Sequence, residues 1–317
     1  MTTTLRPLRF AATAVLLLYT LAGCGGGGIA FPEGQPVAAS PEAKRKAIAA
    51  QATELTAPLR QAINDALAQG RKLTDVHNDL VAQPLPASSG GEITAVRVEY
   101  GGAIVADVSV PASSGTSVNG QLIWVAYSPG DGLVRWYCFA SYASANEDTG
   151  GACFYPGDGA RGRTWTARIF SNDAVNKLSL FGCIEVFVPH SCSFGFGSGA
   201  TSPVLQKLPL LCVNPAGVNR PDVLALEGLD FVGNADITPE VYGVQLLGHA
   251  PGDALCRQRF GDGWTMANTR VLFPYFADFG EAFGFMKTPL DGRFWVRDDW
   301  SNSNPWCATL TGLPCDR

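Results

Sequence analysis

The sequence predicts a mainly β protein, in which a short N-terminal helical segment precedes a β-sandwich and a smaller, disulfide-stapled α+β domain. Three observations lead to this prediction. Only 16% of the 317 residues are charged, 36 are Gly and 21 are Pro. Apolar and polar residues alternate with a period of two through much of the middle of the chain, which is typical of strands. Nine cysteines add the expectation of disulfides.

The first 23 residues have the parts of a secretory signal peptide. Arg6 and Arg9 give a positively charged start, and residues 10–21 form an apolar run. This run is shorter than the roughly 20 apolar residues that a membrane-spanning helix needs. Residues 21–24, which read LAGC, end the segment with small side chains and a cysteine.

The stretch LAGC resembles the lipobox of bacterial lipoproteins. The resemblance implies that Cys24 takes a diacylglycerol thioether and becomes the acylated first residue after cleavage. Its acyl chains would hold the protein on a membrane. That membrane is expected to be the outer membrane in a Gram-negative cell and the outer face of the plasma membrane otherwise. Residues 24–40 are rich in Gly, Pro and Ala, so they are expected to form a flexible tether.

A helical segment is predicted over residues 41–80. Ser40, followed by proline and an acidic residue, is typical of a helix start. This helix is expected to run to about Glu54, because Pro58 interrupts it, and Thr56 is expected to cap a second helix. Apolar residues step by four along one side of the segment: Leu55, Leu59, Ile63 and Leu67. The segment is expected to pack on the domain or to act as a stalk.

Six β-rich runs predict a β-sandwich over residues 92–190, with the immunoglobulin-like arrangement as one form of it. Turn residues pair these runs into three hairpins. The hairpins join residues 92–100 with 103–110, 121–128 with 133–142, and 164–171 with 178–188. Residues 191–237 are irregular and predict a connector, and residues 238–317 form the Cys- and Trp-rich C-terminal domain.

Eight cysteines besides Cys24 suit disulfide chemistry, because an even number in an exported chain favours pairing. They are Cys138, Cys153, Cys183, Cys192, Cys212, Cys256, Cys307 and Cys315. Cys138 and Cys153 bracket the loop after the fourth predicted strand, so they can staple it. The chain has no Cys-x-x-Cys pair and its three histidines are scattered. Neither a metal nor a cofactor is therefore predicted.

The C-terminal domain carries Cys256 in a helical turn, Trp264 after a glycine turn, a strand over residues 293–296, and two late cysteines. This order resembles C-type-lectin-like domains. Cys256 is expected to pair with Cys307 or Cys315 around the Trp-rich strand, and Cys212 is the alternative partner. The Glu-Pro-Asn, Gln-Pro-Asp and Trp-Asn-Asp sugar motifs of the family are absent.

Candidate ligand-binding residues lie in the part of this domain that comes nearest to a sugar motif. Exposed tryptophans suit stacking on sugars or contact with a protein partner. Asp and Asn side chains would add hydrogen bonds to such a ligand. The candidates are Trp295, Asp298, Asp299, Trp300 and Asn302.

The sequence therefore predicts a lipid-anchored binding or adhesion module of the bacterial envelope, with a protein or glycan ligand. One alternative is a structural envelope lipoprotein without a dedicated small ligand. The other is a hydrolase, for which Asp262 and His249 are candidates without local support, so no catalytic residue is assigned. A formal net charge of −5 gives no electrostatic footprint for nucleic acid.

Overall fold

The computed structural model describes twelve ranges of the chain: 39–76, 92–112, 114–127, 133–157, 160–169, 178–182, 201–216, 218–219, 231–246, 249–268, 281–286 and 293–297. They lie in one compact unit, Ala39–Arg317. Among these residues, no helix has both the length and the apolar character needed to cross a bilayer. The signal peptide, Cys24 and the tether up to residue 38 lie outside them, as do Cys183, Cys192, Cys307 and Cys315.

The prediction of a mainly β chain is confirmed. The helices are α1 (Pro41–Ala68), α2 (Leu73–Val76), α3 (Ala145–Asp148) and α4 (His249–Phe260). The strands are β1 (Ile93–Val98), β2 (Ile104–Pro111), β3 (Ser117–Tyr127), β4 (Arg135–Ala140), β5 (Cys153–Phe154), β6 (Arg161–Ile169), β7 (Leu178–Gly182), β8 (Thr201–Pro203), β9 (Lys207–Leu208), β10 (Leu211–Asn214), β11 (Phe231–Ile237), β12 (Val241–Tyr242), β13 (Thr265–Met266), β14 (Glu281–Met286) and β15 (Arg293–Trp295).

The first sheet has the strand order β1-β2-β3-β4-β5. Strands β1 to β4 pair antiparallel, which confirms the first two predicted hairpins. Gly101 and Gly102 turn the chain between β1 and β2 with φ of 75° and 78°, a conformation that residues with a Cβ rarely adopt. Cys138 on β4 and Cys153 on β5 are register partners and form the predicted disulfide.

The second sheet has eight strands, in the order β13-β10-β11-β14-β7-β6-β15, with β8 also paired to β6. The third predicted hairpin is confirmed as the antiparallel pair β6–β7. It lies in this second sheet and not with the first two hairpins. Strands β8 to β11 fall within the predicted connector, so part of that stretch is regular structure. The β-sandwich and its immunoglobulin-like form stay predictions.

The first sheet is buried on both faces. On one face, Ile104, Leu122 and Trp124 pack in a single core with the buried side of α1. On the other face, residues that include Ile123 and Phe139 join a core built from β9, β10, β12, α4 and β15. The alternation of side chains along each strand sends neighbouring residues into these two different cores. The two hairpins of the first sheet therefore form a middle layer, with α1 on one side and β9, β10, β12, α4 and β15 on the other.

The predicted break of the N-terminal helix at Pro58 is wrong, because α1 runs without interruption past it. The proline removes one hydrogen bond to the carbonyl of Glu54. Burial of Leu59 and Ile63 against the first sheet offsets that loss. Thr56 does not cap a new helix: its hydroxyl donates back to the carbonyl of Ala52 at 3.0 Å. The helix start is confirmed, because the Ser40 hydroxyl accepts from the third residue of the helix.

The disulfide of Cys256 also differs from the favoured prediction. Cys256 on α4 is bonded to Cys212 on β10, with their Cα atoms 5.6 Å apart. Both side chains are fully buried in the core that lies between α4 and the first sheet. The alternative partner named from the sequence is therefore the one that the fold brings within disulfide reach.

An ion network joins the first sheet to β9. Arg97 on β1 donates to Glu99 at 2.7 Å and to Asp107 on β2. Lys207 on β9 donates to the other carboxylate oxygen of Glu99 at 2.8 Å. Burial acts to raise the pKa of Glu99, but the hydrogen bonds from Lys207 and Arg97 prevail and hold this pKa below its ordinary value.

Acid is expected to lower the free energy of unfolding partly through protonation of Glu99. Because the pKa of Glu99 is lowered in the folded state, charged Glu99 stabilises the folded protein fully above its ordinary pKa of 4.5. This stabilisation is lost as the pH falls through the lower pKa of the folded state. Glu99→Gln should lower stability at neutral pH and flatten the decline in acid. Urea unfolding from neutral pH to about pH 3 measures this. The exposed Glu54→Gln is the control, and an equal acid decline in Glu99→Gln and wild type would contradict the expectation.

Candidate functional site

A cluster of arginine, asparagine and tryptophan side chains joins α1 to β3 and β4. We call it the Arg60–Trp136 site and define it by Arg60, Asn64, Trp124 and Trp136. Arg60 and Asn64 are four residues apart on α1, so they lie one turn apart on the same helix face. Trp124 is the register partner of Cys138, two residues from Trp136. The two indoles are therefore diagonal neighbours on the sheet face that meets α1.

Arg60 is held by a helix carbonyl and an aromatic ring. Its Nη2 donates to the carbonyl of Thr53 at 3.2 Å. Its guanidinium carbon lies 5.9 Å from the ring centroid of Trp124, which is within cation–π range. Its Nε is buried and has no hydrogen-bond partner in the described part of the chain. Burial lowers the pKa of Arg60, but the pKa of an arginine is high enough that the group stays charged.

The sequence around Pro58 explains the reach of Arg60. Side chains on a helix tilt toward its N-terminus, which carries the guanidinium back over the preceding turns. Pro58 has no N–H for the carbonyl of Glu54, and its ring crowds the helix at that turn. The neighbouring carbonyl of Thr53 accepts side-chain hydrogen bonds from both Thr56 and Arg60. Arg60 is therefore anchored at the carbonyl next to the one that Pro58 leaves without a helical donor.

Trp136 is fixed by Asn64. The indole Nε1 donates to Asn64 Oδ1 at 3.0 Å. Because Oδ1 faces the indole, the Asn64 Nδ2 carries two N–H donors that no described residue accepts. Trp136 itself is partly exposed. Strand β5 pairs with β4 at Cys138 and Phe139, so within the described residues Trp136 has no register partner on β5.

The site offers hydrogen-bond donors and an apolar ring, but no open acceptor. Arg60 Nη1 and Asn64 Nδ2 have no hydrogen bond to a described residue and are not among the buried atoms without a partner, so both atoms have some exposed surface. The Asn64 oxygen is taken by Trp136. Among the described ion pairs, none joins a carboxylate to Arg60. Such a site favours an anion or another acceptor-rich group over a cation.

Of the candidate binding residues named from the C-terminal sequence, the structure describes one, Trp295, and places it in the core. Trp295 is 0% exposed, and its indole donates to the carbonyl of Val241 at 3.0 Å. It is a core residue that cannot stack on a ligand at the surface. The other four candidates lie outside the described residues: Asp298, Asp299, Trp300 and Asn302.

The two hydrolase candidates are not brought together. His249 starts α4 and Asp262 follows its end, and this helix of 12 residues separates their backbones by about 18 Å. The described part of the chain also holds no group of three or more His, Cys, Asp or Glu side chains that could bind a metal ion.

The Arg60–Trp136 site was missed by the reasoning from sequence. Asn64 and Trp136 are 72 residues apart and come from different elements. The available signal was the apolar stripe of Leu59 and Ile63, which points α1 at the sheet and places Arg60 and Asn64 at the edge of that contact. Nothing local to those residues identifies the tryptophans opposite them.

Protein-family models, curated proteins and solved structures contain no match to this chain.

Proposed function

We propose that this protein is a lipid-anchored binding module of a bacterial cell envelope, which captures a protein or glycan ligand at the Arg60–Trp136 site. The observation that carries the proposal is a guanidinium that no described carboxylate neutralises, held over Trp124 beside the partly exposed Trp136. Arginine and tryptophan are the residues that concentrate in the energetically important parts of binding surfaces.

A second arginine on the same helix supports a binding role for Arg60. Arg45 also packs between α1 and the first sheet, and its Nε donates to both carboxylate oxygens of Asp148 at 3.0 Å. That is how a structural cation is satisfied in this fold. Among the described residues, Arg60 instead has a single hydrogen bond, to a carbonyl, and a buried Nε without a partner. A ligand at Arg60 would therefore not compete with a described carboxylate.

The lipobox-like stretch LAGC supports the anchored part of the proposal. The tether of residues 24–40 would reach roughly 20–25 Å as a flexible coil, which lets the folded part stand clear of lipid headgroups. The first described helix begins directly after this tether, at Pro41.

Cys24→Ala is expected to abolish membrane association, because it removes the only thiol that the lipobox motif can acylate. Detergent-phase partitioning of the full chain measures the effect, and Gly25→Ala is the matched control that keeps the thiol. A Cys24→Ala chain that enters the detergent phase as wild type does would overturn the lipoprotein proposal.

Capture of envelope ligands by the full chain in detergent tests the binding part of the proposal. Wild type and Lys44→Gln should retain the same glycan or protein, whereas Arg60→Gln should lose it. Lys44 is an exposed cation on the same helix, so its substitution removes an equal charge outside the site. Equal retention by all three chains would remove the site from the proposal. Retention of nothing by wild type would favour the structural envelope lipoprotein.

A further inference from the structure

We infer that the disulfide between Cys138 and Cys153 is a redox latch for the first half of α1, residues 41–57, which stays docked on the first sheet only while this bond is formed. The inference goes beyond the proposed function, because it concerns how the helix next to the tether is held and involves no ligand. Three features carry it: a buried ion pair, a short loop that the disulfide closes, and a proline inside α1.

A buried ion pair holds the first half of α1. Arg45 Nε donates to both carboxylate oxygens of Asp148 at 3.0 Å, and Arg45 Nη1 donates to the carbonyl of Pro111 at 3.4 Å. The Asp148 side chain has no exposed surface, and the Arg45 side chain is 15% exposed. Displacing one partner of such a pair leaves the other charge buried without compensation, so breaking it costs far more than breaking a surface ion pair.

The apolar packing of this half of α1 is limited. Among its buried side chains, Ile48 alone is both large and apolar, and the others are Ala49, Ala52 and Thr56. Burial stabilises in proportion to the apolar area removed from water, so the two alanines add little. The ion pair of Arg45 is therefore a large part of what keeps this half docked.

The disulfide closes the loop that carries Asp148. Cys138 on β4 and Cys153 on β5 are 15 residues apart, and α3 lies between them. The N–H of Cys153 donates to the Thr149 hydroxyl at 2.9 Å, and Thr149 directly follows Asp148. Strand β5 has two residues, so its ladder with β4 is short. Opening the disulfide therefore removes the covalent constraint on the end of the loop beside the carboxylate that pairs with Arg45.

Pro58 gives α1 a place to divide. Because proline has no N–H, the helix lacks one hydrogen bond at this point, and proline is a common cause of helix kinks. The ion pair of Arg45 lies before Pro58, and the buried Leu59 lies after it. Residues 41–57 can therefore leave the sheet while residues 59–68 stay packed on it.

Closing the latch is a two-electron oxidation. The thiols of Cys138 and Cys153 lose two protons and two electrons as the S–S bond forms, and an oxidised protein disulfide carrier takes up both and becomes a dithiol. For an exported chain, as proposed above, this happens after transfer out of the cytosol, where thiols are kept reduced. Both cysteines lie in the core that α1 shares with the first sheet and are 8% and 1% exposed. Docking of α1 therefore protects the bond, just as the bond favours docking.

Hydrogen exchange of the full chain in detergent tests the inference, read by mass spectrometry over residues 41–57 and 59–68. In the double variant Cys138→Ala with Cys153→Ala, the first stretch is expected to exchange about 10- to 100-fold faster than in wild type, and the second stretch at nearly the wild-type rate. Unchanged exchange of the first stretch, or equal acceleration of both stretches, would overturn the inference.

Matched variants separate this disulfide from a general loss of stability. Cys212→Ala with Cys256→Ala removes the other described disulfide and should not speed exchange of the first half of α1 relative to the second half. Asp148→Asn keeps both disulfides but breaks the ion pair, so it should speed exchange of the first half, whereas the exposed neighbour Glu147→Gln should not. Selective release in the Cys212 and Cys256 variant, or wild-type exchange in Asp148→Asn, would contradict the latch.

Reduction of wild type supplies a test that removes no cysteine. As the concentration of dithiothreitol rises, faster exchange of residues 41–57 should begin when Cys138 and Cys153 become open to alkylation. Because docking protects the bond, Asp148→Asn should expose these two thiols about tenfold faster than wild type. Faster exchange that begins while this disulfide is intact, or equal rates of its reduction in Asp148→Asn and wild type, would also overturn the inference.

Discussion

Replacing Trp295 with alanine is expected to lower the free energy of unfolding by about 3–5 kcal/mol. The side chain is fully buried, packs in the core between the first sheet and α4, and lies against the backbone at Gly243. Its removal leaves a large cavity and takes away the donor that satisfies the carbonyl of Val241. Urea unfolding of the full chain at neutral pH measures the loss.

Trp295→Phe separates packing from hydrogen bonding. It keeps an aromatic ring but leaves the Val241 carbonyl without its donor, for an expected loss of about 1–3 kcal/mol. Ligand capture should stay unchanged in this variant, because Trp295 lies in the core. A Trp295→Ala loss under about 1 kcal/mol, which is the size of most surface substitutions, would contradict the core assignment and return Trp295 to the candidate binding residues.

Cys256→Ser is expected to lower the free energy of unfolding by about 4 kcal/mol, because the disulfide to Cys212 closes a sequence separation of 44 residues. The double variant Cys212→Ala with Cys256→Ala is the matched control, since it removes the bond without leaving a lone thiol in the core. Urea unfolding under non-reducing conditions measures both variants. Peptide mapping that joins Cys256 to a late cysteine would contradict the pairing.

The loss of this disulfide should affect both sheets together. Cys212 and Cys256 share a core with Ile123 and Phe139 of the first sheet, so the parts on either side of that core depend on one another. Thermal unfolding of Cys256→Ser should give coincident transitions by tryptophan fluorescence and by circular dichroism. Proteolysis that removes residues after 235 while residues 92–157 stay intact would show instead that the C-terminal part loosens alone.

The hairpins were predictable from sequence because each is a local event. Gly101 and Gly102 separate two β-branched runs at the right spacing, and no distant residue is needed to define that turn. The four-residue spacing that includes Leu59 and Ile63 likewise predicts a buried helix side, and the structure confirms it.

The sheet partnerships beyond the hairpins depend on contacts between distant segments. Strand β11 pairs parallel with β14, and β15 pairs with β6 across more than a hundred residues. Sequence patterns define strands but not which strands meet. The same limit applies to the disulfide of Cys256, whose partner is set by the placement of α4 on β10. It applies to Pro58 as well, because tertiary packing of α1 overrides the local preference of a proline.

The candidate site could not be predicted for a related reason. In the sequence, Arg60 cannot be told apart from Arg45. In the fold, Arg45 is paired with a carboxylate, whereas no described carboxylate approaches Arg60. Only the fold shows which of the two guanidinium groups is satisfied by a carboxylate and which is held over Trp124.

The doubly covered first sheet has a consequence for how the chain matures during synthesis. Its strands are complete at Phe154, but most of the cover for its second face comes later, between Val204 and Trp295. At synthesis rates of about 5–20 residues per second, Val105, Ile123 and Phe139 wait uncovered for roughly 7–30 s. An apolar sheet face left open for that time is prone to aggregation. The chain is therefore expected to be most prone to aggregation before its last third has been made.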